Sequence, residues 1–128
     1  MTHNEIKRGD IYYISCVPVI GSEQRGGRPG IIVSNDVGNK YSDTVEIVYL
    51  TTRPKKPMPT HFTVLATDRK SVALCEQVST VDKSRIGTYV GSLNAKEMAL
   101  LNRALVESLA LRPVHTTKKR PQSAQKAQ

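Results

Sequence analysis

Short apolar segments separated by turn residues fill the first 92 positions of this 128-residue chain, and one long amphipathic segment follows them. The strand candidates are residues 11–17, 30–34, 45–51, 61–65, 72–78 and 89–91. Asn, Asp and Gly make a turn signal of residues 35–39, and prolines stiffen the basic loop at residues 53–59. Short strands joined by such turns predict a compact antiparallel barrel or sandwich.

The amphipathic segment carries the start signals of a helix. Asn94 can cap its first turn, and Glu97 completes a capping-box pair three positions later. Leu93 is placed to pack against Met98 as a hydrophobic staple, and Pro113 marks the end of the helix. An apolar stripe at helical spacing is predicted to pack on the sheet, and its members are Met98, Leu101, Leu105 and Leu109.

The formal charge of +8 is unevenly distributed along the chain. Residues 112–128 contain five of the 19 basic residues and none of the 11 acidic ones, so residues 1–111 carry a net charge of only +3. We expect one domain of residues 1–112, followed by a basic, disordered tail of residues 113–128. The basic surplus favours an anionic partner such as a nucleic acid.

The residue pattern indicates neither a membrane segment nor a metal site. No run approaches the roughly 18 apolar residues that span a bilayer, and residues 1–10 lack the hydrophobic core of a signal peptide. Cys16 and Cys75 lie among apolar residues without a partner at metal or redox spacing, so we expect buried free thiols in a reducing cytoplasm. No His, Cys or carboxylate cluster has metal-ligand spacing, and we expect no cofactor.

A glycine-rich loop at residues 21–29 places charged side chains directly before an apolar strand. Its glycines allow backbone conformations that a Cβ forbids, and Pro29 biases Arg28 towards an extended conformation. Arg28 would then stand at the root of the strand, with Glu23 and Arg25 at the tip of the loop, an arrangement suited to binding a phosphate. The alternative is an exposed hairpin loop with solvated charges.

Several motifs follow one another across residues 6–111. They are KRGDIY at 7–12, GSEQ at 21–24 with Arg28 and Pro29, SND at 34–36 with Asn39, LTT at 50–52, PTH at 59–61, EQV at 76–78 and TVD at 80–82. Together they resemble the MazF/PemK toxins of bacterial toxin-antitoxin pairs, and among these the Gram-positive MazF group.

This resemblance implies a fold and an activity. The implied fold is an SH3-like antiparallel barrel with a carboxy-terminal helix, the MazF/Kid/CcdB toxin fold, assembled as a homodimer. The implied activity is that of a metal-independent, sequence-specific endoribonuclease, which cuts single-stranded RNA, typically messenger RNA, and so inhibits translation and growth. A cognate antitoxin would block the RNA groove with an acidic segment.

RNA cleavage without a metal would use the substrate's own 2′-hydroxyl as nucleophile. The protein must then help remove that proton, protonate the departing 5′-oxygen and stabilise charge on phosphorus. The resemblance makes Arg28 and Thr51 the catalytic pair. Because the pKa of arginine lies above about 12, Arg28 suits an electrostatic role better than that of a base. Thr51 could instead only satisfy a hydrogen bond at the sheet edge.

Glu23 is the leading candidate for removing the 2′-hydroxyl proton, and His61 is the alternative. Glu23 could equally form a salt bridge with Arg25, and His61 could be a half-buried strand residue. The remaining polar side chains of the matched motifs are expected either to contact RNA or to anchor turns. They are Ser22, Gln24, Arg25, Thr52, Arg53, Glu76, Gln77, Thr80 and Lys83.

Three positions depart from the plasmid-borne PemK and Kid toxins of this family. Those toxins use a histidine, an arginine and an aspartate where this chain has Ser22, Leu74 and Glu76. Their acid-base triad is therefore not carried over. Ser79 stands where Gram-positive MazF proteins tend to have a basic residue, which leaves base specificity open.

Two other classes of protein share parts of this pattern. A gyrase poison of the CcdB type has the same fold but acts through a helix that ends in tryptophan, and this chain contains no Trp. A non-catalytic SH3-like RNA-binding module is compatible with the basic loops. Base-stacking platforms need exposed aromatic side chains, however, and the chain has only five Tyr and one Phe.

Overall fold

The computed structural model describes residues 5–21 and 26–111. All six predicted strands are present, and the strands are β1 (Asp10–Ile14), β2 (Arg28–Ile32), β3 (Thr44–Thr51), β4 (His61–Val64), β5 (Ser71–Asp82) and β6 (Ile86–Ser92). The helices are α1 (Asp36–Tyr41) and α2 (Ala95–Leu109), and a 3-10 turn (Lys83–Arg85) joins β5 to β6.

The strands form one antiparallel sheet in the order β4-β5-β3-β2-β1-β6. This confirms the predicted mainly antiparallel fold with a carboxy-terminal helix. The sheet differs from a closed barrel, because no ladder within the described strands joins its two edges, β4 and β6. The edges nevertheless approach each other: a Cβ on Gly91 of β6 would lie 2.8 Å from the carbonyl oxygen of Ala66, which follows β4.

The long strand β5 bends in its middle. Its first half pairs with β4 and with the end of β3, where Leu50 faces Ala73, and its second half pairs with the start of β3, where Val48 faces Val78. Residues 74–77 of β5 therefore lie opposite the single residue Tyr49 of β3. An irregularity of this kind bends a strand and redirects its side chains, and bulges are frequent beside active sites.

Alternation along the strands gives the sheet an apolar cluster on each face. On one face, Leu101, Ala104 and Leu105 of α2 are buried together with side chains of the sheet, namely Ile11, Ile31, Val48, Leu50, Phe62, Val64, Ala73 and Cys75. The second cluster consists of Ile6, Tyr12, Ile14, Ile32, Val45, Ile47, Val81 and Ile86, and Tyr49 packs against it. Each face of the sheet thus carries its own buried apolar cluster.

The start of α2 is as predicted, and its end differs. The side chain of Asn94 accepts a hydrogen bond from the Glu97 backbone, and the Glu97 side chain accepts one from the Asn94 backbone. Glu97 also accepts a hydrogen bond from the backbone N–H of Leu65, at 2.8 Å, which ties the helix to the end of β4. The predicted stripe stops early: Leu109 is 51% exposed, and the chain leaves the helix at Ala110 in a left-handed conformation.

Residues 35–39 were predicted as a turn, and that prediction is wrong in part, because Asp36–Tyr41 forms the short helix α1. The side chain of Asn35 caps this helix by accepting a hydrogen bond from the backbone N–H of Gly38, at 2.7 Å. Asn39 is buried and bonds to Ser34 with its side chain. These side-chain bonds stabilise a helix that Gly38 and Asn39 disfavour by propensity.

The prediction of two buried thiols is correct for Cys75 and wrong for Cys16, although both cysteines are free. Burial, with a smaller contribution from Glu76, raises the pKa of the Cys75 thiol to about 12. Strand β1 ends at Ile14, so the inward-outward alternation no longer applies at Cys16, which is exposed. The predicted disordered tail, residues 113–128, lies outside the described residues.

Candidate active site

The sheet register brings Arg28 and Thr51 to the same place. Strands β2 and β3 pair with Gly30 opposite Tyr49 and Ile32 opposite Ile47. Extending this register by two residues puts Arg28 opposite Thr51, on one face of the sheet. Side chains opposite each other on antiparallel strands have their Cβ atoms only about 4.5–5.5 Å apart. Arg28 and Thr51 therefore stand at neighbouring strand ends, on the same face of the sheet.

Arg28 and Thr51 line one cleft of about 550 Å³. Its walls come from the start of β2, the end of β3 with the loop that follows, and the bent strand β5. The lining residues are Arg28, Pro29, Leu50, Thr51, Thr52, Arg53, Lys55, Ser71, Leu74 and Gln77. Three of them are cations and none is an acid, so the cleft has the charge that a polyanion requires.

The backbone before Arg28 is held in a conformation that requires glycine. Gly27 has a φ of 82°, and a Cβ on it would lie 1.8 Å from the carbonyl oxygen of Ile14. The next residue, Arg28, pairs with Ile14 in the last step of the ladder between β1 and β2. The hydroxyl of Tyr13 also donates a hydrogen bond to the Gly27 carbonyl, at 3.2 Å. Arg28 therefore starts from a well-fixed strand end.

The side chain of Arg28 is directed by an aromatic ring. Its guanidinium carbon lies 4.3 Å from the centre of the Tyr49 ring, a cation–π contact. Among the ion pairs within residues 5–21 and 26–111, none takes up the guanidinium of Arg28. Its N–H groups are donors in a fork geometry that matches phosphate oxygens.

The hydroxyl of Thr51 has a structural partner as well. It accepts a hydrogen bond from the backbone N–H of Arg53, at 3.1 Å, and so orders the first turn after β3. A hydroxyl has two lone pairs and one proton to donate, and this bond uses a single lone pair. This bond belongs to the turn and not to a sheet edge, since β3 is an inner strand, and it does not consume the hydroxyl proton.

Comparison with known protein families matches residues 7–109 to the family described as PemK-like, MazF-like toxin of type II toxin-antitoxin system. The match includes every strand and helix described above. The chain belongs to this toxin family.

Individual relatives agree with this assignment. The chain is 40% identical over 111 residues to Endoribonuclease EndoA of Bacillus subtilis strain 168, covering 83% of this chain and 96% of the relative. It is 41% identical over 118 residues to Endoribonuclease MazF of Staphylococcus saprophyticus, covering 88% and 98%. A solved structure titled as an endoribonuclease in complex with its cognate antitoxin, from Mycobacterial species, superposes with a TM-score of 0.71 at 25% identity, covering 84% of this chain and 98% of that one.

The second proton-transfer candidate of this MazF-type chain, His61, does not line the cleft. Its Nε2 lies 2.9 Å from Oε2 of Glu76, and its Nδ1 lies 3.2 Å from the carbonyl oxygen of Lys56. Thr60 donates a further hydrogen bond to Oε1 of Glu76, at 2.9 Å. Burial alone raises the pKa of Glu76, but hydrogen bonds from His61, the backbone and Thr60 outweigh it and lower the pKa.

The predicted site residues therefore fall into three groups. Those in the cleft are Arg28, Thr51, Thr52, Arg53 and Gln77. Those elsewhere are His61 and Glu76, which pair with each other, Thr80, which donates to Glu46, and Lys83, at the start of the 3-10 turn. Those outside the described residues are Ser22, Glu23, Gln24 and Arg25.

Sequence reasoning overlooked several residues that line the cleft, and also Tyr49, which contacts Arg28 from outside the lining. Lys55 belongs to the basic, proline-containing loop at residues 53–59, whose charge is evident in the sequence but does not by itself indicate that the loop reaches the cleft. Tyr49 stands two residues before Thr51 on the same strand, so alternation would have placed both on one face. The position of Ser71 and Leu74 depends on the bend of β5, for which the sequence carries no comparable signal.

The described part of the chain, residues 5–21 and 26–111, has no cluster of metal-ligand side chains and no membrane-spanning helix. Within it, three or more His, Cys, Asp and Glu side chains nowhere converge as metal ligands would. Neither of its helices is long and apolar enough to cross a membrane.

Proposed function

We propose that this MazF-type endoribonuclease cuts single-stranded RNA in the cleft where Arg28 lies opposite Thr51. The 2′-oxygen attacks the adjacent phosphorus, the bond from phosphorus to the 5′-oxygen breaks, and a 2′,3′-cyclic phosphate and a 5′-hydroxyl result. One proton leaves the 2′-hydroxyl and one is delivered to the departing 5′-oxygen. The shared cleft, which both Arg28 and Thr51 line and which has no acidic residue in its lining, is the observation that carries this proposal.

Arg28 stabilises the transition state electrostatically. Negative charge builds up on the nonbridging oxygens as the fifth bond to phosphorus forms, and the paired N–H donors of a guanidinium match two of those oxygens. Its contact with Tyr49 and the rigid start of β2 hold it in place before RNA arrives. Donors that are already oriented need little reorganisation during the reaction.

Thr51 donates a hydrogen bond from its hydroxyl to the same phosphate or to the leaving 5′-oxygen. The hydrogen bond from Arg53 fixes the rotation of the hydroxyl without occupying its proton. A threonine hydroxyl is too weak an acid to supply a proton alone, so we assign it a positioning and relay role. Glu23 remains our candidate for the base that removes the 2′-hydroxyl proton.

The other polar groups of the cleft bind the RNA strand on either side of the cut. Arg53 and Lys55 are exposed cations at the cleft and suit the flanking phosphates. Gln77 offers amide donor and acceptor groups to a base edge, and Thr52 offers a hydroxyl. We propose that Gln77 contributes to base selection, since the bend of β5 directs it into the cleft.

Two partners follow from the family assignment. The mycobacterial neighbour was solved with its cognate antitoxin, and we propose that an antitoxin with an acidic segment blocks the cationic cleft of this toxin. We further propose that the toxin acts as a homodimer in the cytoplasm, where it cuts messenger RNA and thereby stops translation and growth.

The test is incubation of the protein with a long single-stranded RNA in excess chelator, followed by mapping of the cut ends. We expect discrete fragments with 5′-hydroxyl ends, and no cut where the attacking nucleotide carries a 2′-deoxy substitution. Thr51→Val should slow cleavage about tenfold or more, while Thr51→Ser, which retains the hydroxyl, should stay near wild type. Binding of RNA without cleavage would favour the non-catalytic RNA-binding module instead.

A further inference from the structure

Tyr49 lies beneath the guanidinium of Arg28 and is itself held from two sides. It stands on β3 opposite Gly30, and it packs against the apolar cluster that includes Ile14 and Ile47. Because Gly30 has no side chain, the ring meets no Cβ from the residue directly opposite it. The Arg28 side chain can then fold back over the ring, and its guanidinium carbon lies 4.3 Å from the ring centre.

A second arginine lies at the far side of the ring, beside its hydroxyl. Nη2 of Arg85 lies 3.5 Å from the Tyr49 hydroxyl, a long hydrogen bond. Nε of Arg85 donates to the carbonyl oxygen of Ser15, at 2.7 Å, and the backbone N–H of Ser15 donates to the Arg85 carbonyl, at 2.8 Å. Arg85 is thus tied to the end of β1, the strand that pairs with Arg28 through Ile14.

We propose that Tyr49 is a positioning residue for cleavage: its ring face, held by packing on the apolar cluster, directs the guanidinium of Arg28 towards Thr51. This inference rests on the proposed role of Arg28. An arginine side chain has many rotamers, and only those that point its donors at the scissile phosphate assist the reaction. The face of the ring attracts the cation and selects among these rotamers before RNA binds.

The ring and the hydroxyl of Tyr49 should contribute unequally. The guanidinium contacts the ring face, whereas the hydroxyl makes only the long bond to Arg85. Tyr49→Phe keeps the face and should retain cleavage within about twofold of wild type. Tyr49→Leu removes the ring face but keeps an apolar side chain, and it should lower kcat about tenfold. KM should change less, because a misdirected Arg28 can still bind the phosphate but stabilises the transition state less.

A double-mutant cycle with Arg28→Ala separates positioning from packing. If Tyr49 acts through Arg28, then Tyr49→Leu should cost less than about twofold in the Arg28→Ala background, measured with enzyme in excess over RNA. Tyr41→Leu is the matched control, since Tyr41 also has a cation over its ring, Lys40 Nζ at 5.4 Å, but lies exposed on α1 away from the cleft. It should leave cleavage unchanged.

The outcomes are distinct. An equal loss from Tyr49→Leu in the wild-type and Arg28→Ala backgrounds would overturn the positioning role and assign the effect to packing. Normal cleavage by Arg28→Ala alone would instead refute the proposed role of Arg28. Thermal unfolding is measured for each variant to confirm that it is folded. If Tyr49→Leu shows no cooperative unfolding transition, Tyr49→Met replaces it in the cycle, with the same expected result.

Discussion

Gly27→Ala should disable the enzyme by moving Arg28, although Gly27 has no side chain of its own. The new Cβ would lie 1.8 Å from the Ile14 carbonyl oxygen, whereas Cβ contacts in proteins do not fall below 3.0 Å. The backbones of β1 and β2 must therefore separate by about 1.2 Å at this point. Arg28 pairs with Ile14 at the same point, so the displacement reaches the guanidinium directly.

The magnitude follows from this displacement. A reacting group displaced by about 1 Å can lose about 100-fold in rate, which corresponds to about 2.7 kcal/mol of transition-state stabilisation. Strain adds to the loss of stability, since a non-glycine residue at a φ of 82° costs about 1–3 kcal/mol. Each kcal/mol lowers Tm by about 4–8 °C in domains of 60–100 residues and by about 2–4 °C in domains of 150–250 residues, so about 4 °C per kcal/mol is expected here.

Gly21→Ala is the matched control. Gly21 also has a positive φ, 62°, but a Cβ there would meet nothing within 4 Å. The backbone strain should lower the melting temperature of Gly21→Ala, whereas its kcat/KM should change little. The assay is kcat/KM on a single-stranded RNA together with thermal melts of both variants. The reasoning is refuted if folded Gly27→Ala protein cleaves as fast as Gly21→Ala protein.

Three further results are expected. In the native protein a thiol reagent should react quickly with Cys16 and should react with Cys75 only on unfolding. Cys16→Ser should abolish the fast phase of the reaction. Fast reaction of both cysteines would contradict the burial of Cys75. Folding lowers the pKa of Glu76 from its ordinary value of 4.5, so the ionised carboxylate stabilises the fold above pH 4.5, and this contribution is lost as the pH falls through the lower folded-state pKa. Glu76→Gln should therefore make the melting temperature depend less on pH in this acid range. An unchanged pH profile would argue against the His61–Glu76 pair. Lys55→Ala should weaken RNA binding evenly across sequences and reduce the slope of log K against log salt by about 1, whereas a shift in cut sites would indicate base contacts by Lys55.

The strands could be predicted from sequence because each has its own local signal. Short β-branched segments between Gly, Asn and Pro residues carry that signal, and all six predicted segments became strands. Helix α2 was equally predictable, since Asn94 and Glu97 form the predicted capping box. Helix α1 was not, because its stability comes from side-chain bonds of Asn35 and Asn39 rather than from residues with high helix propensity.

The candidate site could be predicted only in part, since its geometry depends on pairing between strands that are distant in sequence. The motifs pointed to Arg28 and Thr51, but their opposition follows from a register that periodicity alone does not set. Residues 74–77 of β5 lie in an irregular stretch, so the pairing of their side chains cannot be deduced from the sequence: Gln77 lines the cleft, while its neighbour Glu76 contacts His61. The cation–π contact between Tyr49 and Arg28 depends on the same register, and no local sequence pattern predicts it.

The most direct test of the Arg28–Thr51 site is the single-turnover cleavage rate of Arg28→Ala in chelator, measured beside its affinity for an uncleavable 2′-deoxy analogue of the same RNA. The account predicts a rate lower by about 100-fold or more, as expected on removing a donor to a charged transition state, with affinity reduced far less. A folded Arg28→Ala protein that cuts at the wild-type rate would contradict it.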